Sequence, residues 1–543
     1  MLIDFEKAFD SISWKFLYNV LEYFGFGPDF IRWVKLLNTD ICASVIQAGV
    51  KSDFLKIERG CKQGDPIAAY LYILCGQVMY YLIYQNIDVK GLQIGTEEIK
   101  LSQFADDTTL ILDGSQRSLE AALNTIEIFG TYSGLKMNTT KTKVIWIGDK
   151  KHSSEKLPIS HKLEWGTDQF NLLGVLFSVD LEDMPALNYS LLLEKSKKII
   201  DVWKRRSLTP LGRITIIKTF ILSQFNYLFA SIPSPSDEFI KKLNKLLFNY
   251  LWNGKPDKIK RLCVTQDYNN FGLRMVNIKN HISATKIMWM DRILKKKSTQ
   301  ICTIFQNSIC NLSCFCNFGL SWLKNLIKNT DNQFWQEVFL SWQMLIQKKS
   351  ISNKSEILAS ALWHNPDISD TPIFYPTWYK HGMTHVADIL GSNGIILSQH
   401  ELEKKYGLKI NFLHYHRIKI LIGLYLKKYQ EIKGDFTTLI RPYMPTQLVF
   451  IFNNQYGMKG IYNILNKTVL DLTFKSKWHN ELNLTFNNST WQKFFRICWK
   501  NYKDPFHKWF QYRILYRILG IQKLLHKIGI SNFIPNSRHT ETS

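Results

Sequence analysis

Short apolar stretches broken by polar turns give way, from about Phe170 onward, to long segments with aliphatic and aromatic residues at helical spacing. Met1 to Phe5 reads as a short apolar strand that carries a carboxylate at Asp4. Glu6 to Ser11 lead into a helix expected from about Ser13, with Asp10 or Ser11 as its cap. Pro28 suits the first position of a second helix, reaching Leu37. Residues 42–58 alternate like a hairpin turning near Gly49. The glycine-bounded loop Gly60-Cys61-Lys62-Gln63-Gly64-Asp65-Pro66 then feeds a long apolar helix from about Ile67. Strands are expected between Leu92 and Leu112, with Phe104-Ala105-Asp106-Asp107 at a hairpin tip. An amphipathic helix over Ser118–Phe129 closes near Gly130, and Gly134 to Lys143 turn into a strand over Val144–Ile147. Residues 188–252 look helical, as do segments near 278–297, 320–348 and 490–530. Gly391–Gly394 and Asn453–Gly457 read as loops or linkers.

At 543 residues, 45% of them hydrophobic, the chain is expected to form two to four domains. Lys and Arg outnumber Asp and Glu by 69 to 45, a net charge of +24, which points to a polyanionic partner such as nucleic acid. A membrane is not expected as a partner. The apolar run Tyr70–Tyr84 is interrupted by Gln77 and is shorter than the roughly 20 residues a spanning helix needs. Asp4, Glu6 and Lys7 stand where a secretory leader would be apolar. Nine cysteines without paired spacing suit an intracellular compartment, nuclear or cytoplasmic. Cys310, Cys314 and Cys316 lack histidines at finger spacing, so zinc is not expected there.

The adjacent carboxylates Asp106 and Asp107 narrow the chemistry. Successive strand residues face opposite sides, but a tight turn can present both. Two such charges about 4 Å apart repel by ~1 kcal/mol in water and ~4 kcal/mol at an effective dielectric near 20. They therefore sit in open solvent, the plainer reading, or hold cations. With Asp4 on a separate strand and the Gln63 loop between them, metal-assisted phosphoryl transfer becomes available. That chemistry uses carboxylates around two divalent cations ~3.5–4 Å apart, and oxygen ligands suit Mg²⁺. Spacing alone supports a metal-dependent nucleotidyltransferase.

Several stretches are similar to those of one family. Leu2-Ile3-Asp4-Phe5-Glu6-Lys7-Ala8-Phe9-Asp10 resembles motif A of non-LTR (LINE-type) retrotransposon reverse transcriptases. Gly60 to Pro66 resembles motif B, Phe104-Ala105-Asp106-Asp107 motif C, and Gly134-Leu135-Lys136-Met137-Asn138 with Lys141-Thr142 motif D. Leu172-Leu173-Gly174-Val175 resembles the primer-grip region that follows. The order and approximate spacing match across residues 1–178, the resemblance continues through Trp203–Lys218 and Trp252–Lys255, and a weaker likeness extends through Tyr375-Pro376-Thr377-Trp378 towards the end.

The resemblance implies an α+β fold. A right-hand polymerase palm (antiparallel sheet with helices) over 1–178 would be followed by an α-helical thumb over 179–277 and a mostly helical C-terminal region over 278–543. It implies an RNA-directed DNA polymerase that extends a primer 3′-hydroxyl with deoxynucleoside triphosphates on an RNA template, using two Mg²⁺ or Mn²⁺ ions. Asp4, Asp106 and Asp107 would be catalytic and ligate the metals, with the Phe5 carbonyl as a backbone ligand. Phe9 would exclude a 2′-hydroxyl, Gln63 and Gly64 would border the templating pair, and Lys141 would protonate pyrophosphate. From their charge and flanking aromatics, the basic residues Lys204, Arg205, Arg206, Arg213, Lys218, Lys260 and Arg261 are expected to contact nucleic acid, a solvated face being the plainer reading; the C-terminal region is expected to contact the element's own RNA or to act as a scaffold for the thumb. Ala68-Ala69 stand where the family commonly has Ser-Pro, and Gln77 where it has an acid. Nothing corresponds to the fingers region before motif A, to an upstream endonuclease, or to a cysteine/histidine knuckle. An N-terminally truncated element copy or an incomplete gene model is therefore expected, the alternative function being an impaired remnant that still binds RNA or RNA–DNA hybrid. Phe9 argues against an RNA-synthesising polymerase, which must admit the 2′-hydroxyl.

Overall fold

A computed structural model describes residues 1–166, 168–295, 299–348, 351, 354–391, 393–432, 457–468, 470 and 472–519. Two compact units divide the chain: Met1–Met184 with Gln300–Cys310, and Pro185–Thr299 with the residues from Asn311 onward.

In the first unit the opening apolar run forms β1 (Leu2–Ile3), followed by α1 (Ala8–Ser11), α2 (Trp14–Tyr23) and α3 (Pro28–Leu37). Asp10 and Ser11 lie inside α1 and do not cap the next helix. Ser13 does, its Oγ accepting from Phe16 N at 3.5 Å. The short strands β2 (Cys42–Ala43) and β3 (Ile46–Gln47) return as β4 (Val50–Lys51) and β5 (Leu55–Lys56), pairing β3 with β4 and β2 with β5. The turn between them uses Ala48 and Gly49, both at positive φ, as the twist of a two-residue hairpin requires. The apolar helix α4 (Ala68–Gln85) buries Ala68, Leu71, Tyr72, Cys75, Met79 and Ile83 in the core of this unit. Among the described residues no helix is long and apolar enough to cross a membrane.

The hairpin β6 (Leu92–Ile94) and β7 (Glu97–Ile99) precedes β8 (Leu101–Phe104) and β9 (Asp107–Leu110). Helix α5 (Gln116–Ser133) continues past Gly130 and ends at Gly134, whose φ of +81° is the left-handed cap that glycine favours. Gly130 has another task. A Cβ there would lie 2.6 Å from the Leu135 carbonyl oxygen, so this glycine permits the returning chain to pack against the helix. Then come β10 (Lys143–Val144), shorter than expected, β11 (Glu164–Trp165), β12 (Gln169–Leu172) and β13 (Val175–Ser178). The main sheet has the order β11-β10-β1-β9-β8, antiparallel except for β10 with β11. Its central strand β1 delivers Ile3 and Phe5 to the core.

The second unit begins with α6 (Met184–Lys204), less its first residue, and α7 (Pro210–Ile216). A π-helical stretch, Ile217–Leu222, joins α7 to α8 (Ser223–Ser231). After these come α9 (Asp237–Leu251), α10 (Arg261–Val264) and α11 (Ile278–Leu294). The segment expected near 320–348 is two helices, Leu320–Lys328 and Gln333–Lys348, and that near 490–530 is seen as Asn488–Lys500 and Pro505–Leu515. Residues from 520 on, like 453–456, lie outside the described residues. Gly457 opens a helix, and Gly391 and Gly394 form a turn closed by a 2.9 Å bond. Sheet in the first unit and helices after it make the chain α+β.

Candidate active site

The position of Asp4 follows from strand register. Leu2 pairs with Thr109 and Ile3 with Thr108, so the next step along the two antiparallel strands sets Asp4 opposite Asp107. The backbone of Asp4 is held by the segment after α5: its carbonyl accepts from Asn138 N at 2.8 Å, and its N–H donates to Thr142 Oγ1 at 3.3 Å. Phe5 bridges to Met137, and Glu6 N donates to Lys136 O at 2.9 Å. The Phe5 side chain is buried, so its role in the fold is to anchor the strand beside the half-buried Asp4.

Asp106 is the second residue of the two-residue turn that closes β8 on β9, where Phe104 pairs with Asp107. Ala105, the first, has φ +54°, a conformation that costs a residue with a Cβ about 1–2 kcal/mol. Both aspartates of the turn are exposed. The Asp107 carboxyl is raised above its ordinary range by partial desolvation and then by the charges of Asp106 and Asp4. All three carboxylates thus share one electrostatic neighbourhood. Lys141, itself exposed, brings its Nζ to 3.9 Å from Asp4 Oδ2.

The glycine loop is bound to α1, the residue after it and the first residue of α2. Gly60 N donates to Ile12 O at 2.8 Å, Cys61 N to Phe9 O at 2.7 Å, and Trp14 Nε1 to Gly60 O at 2.9 Å. Gly60 has φ +95°, and a Cβ there would fall 2.7 Å from Asp10 O. Gly60→Ala is expected to destabilise the unit by about 1–3 kcal/mol from conformation alone, with the clash adding to it. Thermal denaturation of the variant checks this; a melting temperature equal to the parent's would refute it. Further along the loop, Lys62 Nζ donates to Leu37 O at 2.9 Å, while Gln63 and Gly64 stand exposed on the crest.

Phe9, fixed through its carbonyl to that loop, stacks on Tyr72 of α4 at 4.2 Å between centroids and 14° between planes. Tyr72 was not singled out by motif reading. Its phenol is pushed up by burial and then by the charge of Asp106, which places the ring in the same site. The helical period could have found it, because Ala68, Leu71, Tyr72 and Cys75 share the buried face while Tyr70 is 70% exposed. Beside the carboxylates a cavity of about 250 Å³ lies between Leu2, Ile3 and Asp107–Thr109 on one side and Asn171–Gly174 on the other.

The donor set fits a hard divalent cation in kind: three carboxylates, with the raised Asp107 reporting negative charge that the fold itself does not fully compensate. Among the described residues no group of three or more acids, histidines or cysteines is arranged to hold a metal ion, so the side chains are not drawn in to ligand spacing.

The basic residues lie in the second unit. Lys204, Arg205, Arg206, Lys218, Lys260 and Arg261 are exposed. Arg206 lies over Trp203 at 5.5 Å, and Arg261 Nε donates to Asp257 at 2.7 Å. Arg213 is different: it is buried, and its Nη1 donates to the Tyr250 carbonyl at 3.0 Å. That carbonyl belongs to the last turn of α9, where backbone acceptors lack helical partners. Arg213 therefore completes a helix end and is not presented to a phosphate.

Residues 1–177 match the family model for reverse transcriptase (RNA-dependent DNA polymerase). The transposon TX1 uncharacterized 149 kDa protein of Xenopus laevis is 26% identical over 378 residues, spanning 67% of this chain and 28% of that protein. The retrovirus-related Pol polyprotein from the type-2 retrotransposable element R2DM of Drosophila melanogaster is 26% identical over 271 residues, spanning 47% of this chain and 24% of that protein. A retrovirus-related Pol polyprotein from the type-1 retrotransposable element R2 of Popillia japonica is 24% identical over 245 residues, 43% of this chain and 38% of the relative. The chain thus covers well under two thirds of these relatives. With the α+β architecture and the ordered motifs, residues 1–177 are similar to reverse transcriptases, and the matched relatives are proteins of transposable elements.

Proposed function

We propose that this chain is an RNA-directed DNA polymerase that extends a primer 3′-hydroxyl with deoxynucleotides, acting inside the cell on an RNA template that includes its own element's transcript. The observation that carries the reading is the register that sets Asp4 opposite Asp107, with Asp106 at the adjoining turn. In this proposal Asp4, Asp106 and Asp107, with the Phe5 carbonyl, hold two Mg²⁺ or Mn²⁺ ions. Bound there, such ions lower the pKa of the attacking hydroxyl and shield the triphosphate. Lys141, 3.9 Å from Asp4, carries the proton that the departing pyrophosphate takes up. Gln63 and Gly64, free on the loop crest, border the templating pair. Residues 1–178 act as palm and 179–277 as thumb, where Lys204, Arg205, Arg206, Lys218, Lys260 and Arg261 meet backbone phosphates.

Phe9 is the sugar gate. Its ring is backed by Tyr72, so it cannot retreat from an added 2′-oxygen without disturbing a close-packed stack. Phe9→Val is expected to weaken discrimination against ribonucleotides by about 10- to 100-fold, the range a pocket contact of this size commands. Competition between deoxy- and ribonucleotides in primer extension measures it. Unchanged discrimination would reject the gate, and a parent preference for ribonucleotides would reject the function.

A further inference from the structure

The helix Pro505–Leu515 has a face for which the polymerase reading leaves no task. Phe506 and Phe510 are one turn apart and 61% and 40% exposed, and Arg513 follows on the same side. The inner side of this helix packs Trp509 against Trp252, with 6.1 Å between rings, bringing the helix to the loop that leaves α9. That loop carries exposed Lys255 and Lys258. Partial burial lowers the Lys258 pKa, and the positive charges of Arg513 and then Lys255 lower it further. Among the described residues no carboxylate forms an ion pair with Lys255, Lys258 or Arg513, and Asp257, which lies between the lysines, is paired with Arg261.

We propose that the Pro505–Leu515 helix and the Lys255–Lys258 loop form a platform for single-stranded nucleic acid, with bases stacking on Phe506 and Phe510 and phosphates meeting Lys255, Lys258 and Arg513. Like cations gathered with no acid paired to them call for a polyanion. Exposed rings between them suit unpaired bases, whose faces are free to stack, whereas a duplex offers only its backbone. This rests on the nucleic-acid function proposed above and gives the C-terminal region a substrate contact of its own.

The test is fluorescence anisotropy with the full chain, without nucleotides, using one labelled RNA strand, the DNA strand of the same sequence and a blunt duplex of equal length. Phe506→Ala/Phe510→Ala is expected to bind both single strands about tenfold or more weakly, since stacking contributes that much per base. Duplex affinity is expected to stay within about twofold, because the platform reads unpaired bases. Lys258→Gln/Arg513→Gln is expected to flatten the salt dependence by about 0.7 log unit per phosphate lost. Unchanged single-strand affinity, or equal loss on the duplex, would overturn the platform. So would altered self-association with oligonucleotide affinity intact, which would make the face a protein interface. If the aromatic variant does not fold, ultraviolet crosslinking of the parent chain to the single strand replaces it. Crosslinks within Pro505–Leu515 are expected, and their absence would be contrary. Asp106→Ala is expected to bind these strands as the parent does, so failure of catalysis and failure of the platform are read separately.

Discussion

Asp106→Ala is expected to lower primer extension on RNA by about 10³-fold or more while leaving RNA–DNA hybrid affinity within a few-fold of the parent. Metal-held charge stabilisation in phosphoryl transfer is worth several kcal/mol, and ~4 kcal/mol corresponds to about 10³ in rate. The fold has little stake in this side chain. Asp106 is exposed at a hairpin tip, and its charge raises the neighbouring Asp107 carboxyl, so its removal relieves repulsion. Asp4→Ala is expected to lose activity similarly. Its backbone bonds to Asn138 and Thr142 are independent of the side chain and keep the strand in place. Equal loss of hybrid binding and extension would show that these acids support the fold and not the chemistry.

The largest stability effect is expected in the second unit. Lys286 of α11 is fully buried; its Nζ donates to Ile232 O at 2.6 Å, lies 3.2 Å from Glu337 Oε2 and sits 3.9 Å from the Phe334 ring. Glu337, on the helix Gln333–Lys348, also accepts from Ser234 N at 2.8 and 3.0 Å and from Ser234 Oγ at 2.6 Å. Glu337→Ala removes the counter-charge from an ammonium that has no access to water, at a cost of about 3–5 kcal/mol. Lys286→Met/Glu337→Gln is expected to recover much of that, because neither charge is then left unpaired. Chemical denaturation of the variants measures both. A Glu337→Ala loss under about 1 kcal/mol would mean that this pair does not hold the helices together.

The same pair gives a pH dependence. Burial lowers the Lys286 pKa to about 8, against the opposing pull of Glu337, while the unfolded chain titrates near 10.5. Between those values the unfolded state binds the proton and the folded state does not, so stability rises with pH. The gain is expected between pH 8 and 10 as the difference between the parent and Lys286→Met, because thiols and tyrosines titrate in the same window in both.

The first unit was largely legible because its signals are local. Pro28 at a helix start, a Gly49 hairpin and an Asp-Asp turn each depend on a few neighbouring residues, and α3, β3–β4 and β8–β9 lie where these signals put them. What escaped depends on contacts distant in sequence. Gly130 reads locally as a helix stop, but it is small because the Leu135 carbonyl presses on it. Arg213 sits in a basic run that looks like a phosphate contact, yet a carbonyl 37 residues away takes its guanidinium. The Asp4 register was not legible either, since it is set by Thr108 and Thr109 on a strand more than a hundred residues on. The platform helix lay inside a broad helical expectation near 490–530, and only its packing on Trp252 brings it to the lysine loop.

The most direct measurement is extension of a DNA primer on an RNA template by this chain, with Mg²⁺ or Mn²⁺ and deoxynucleotides, beside Asp106→Ala. Template-directed DNA synthesis that requires the divalent ion and disappears in the variant is the expected result. Synthesis that survives in Asp106→Ala, or none from the parent chain while it still binds the hybrid, would contradict a polymerase centre built on Asp4, Asp106 and Asp107.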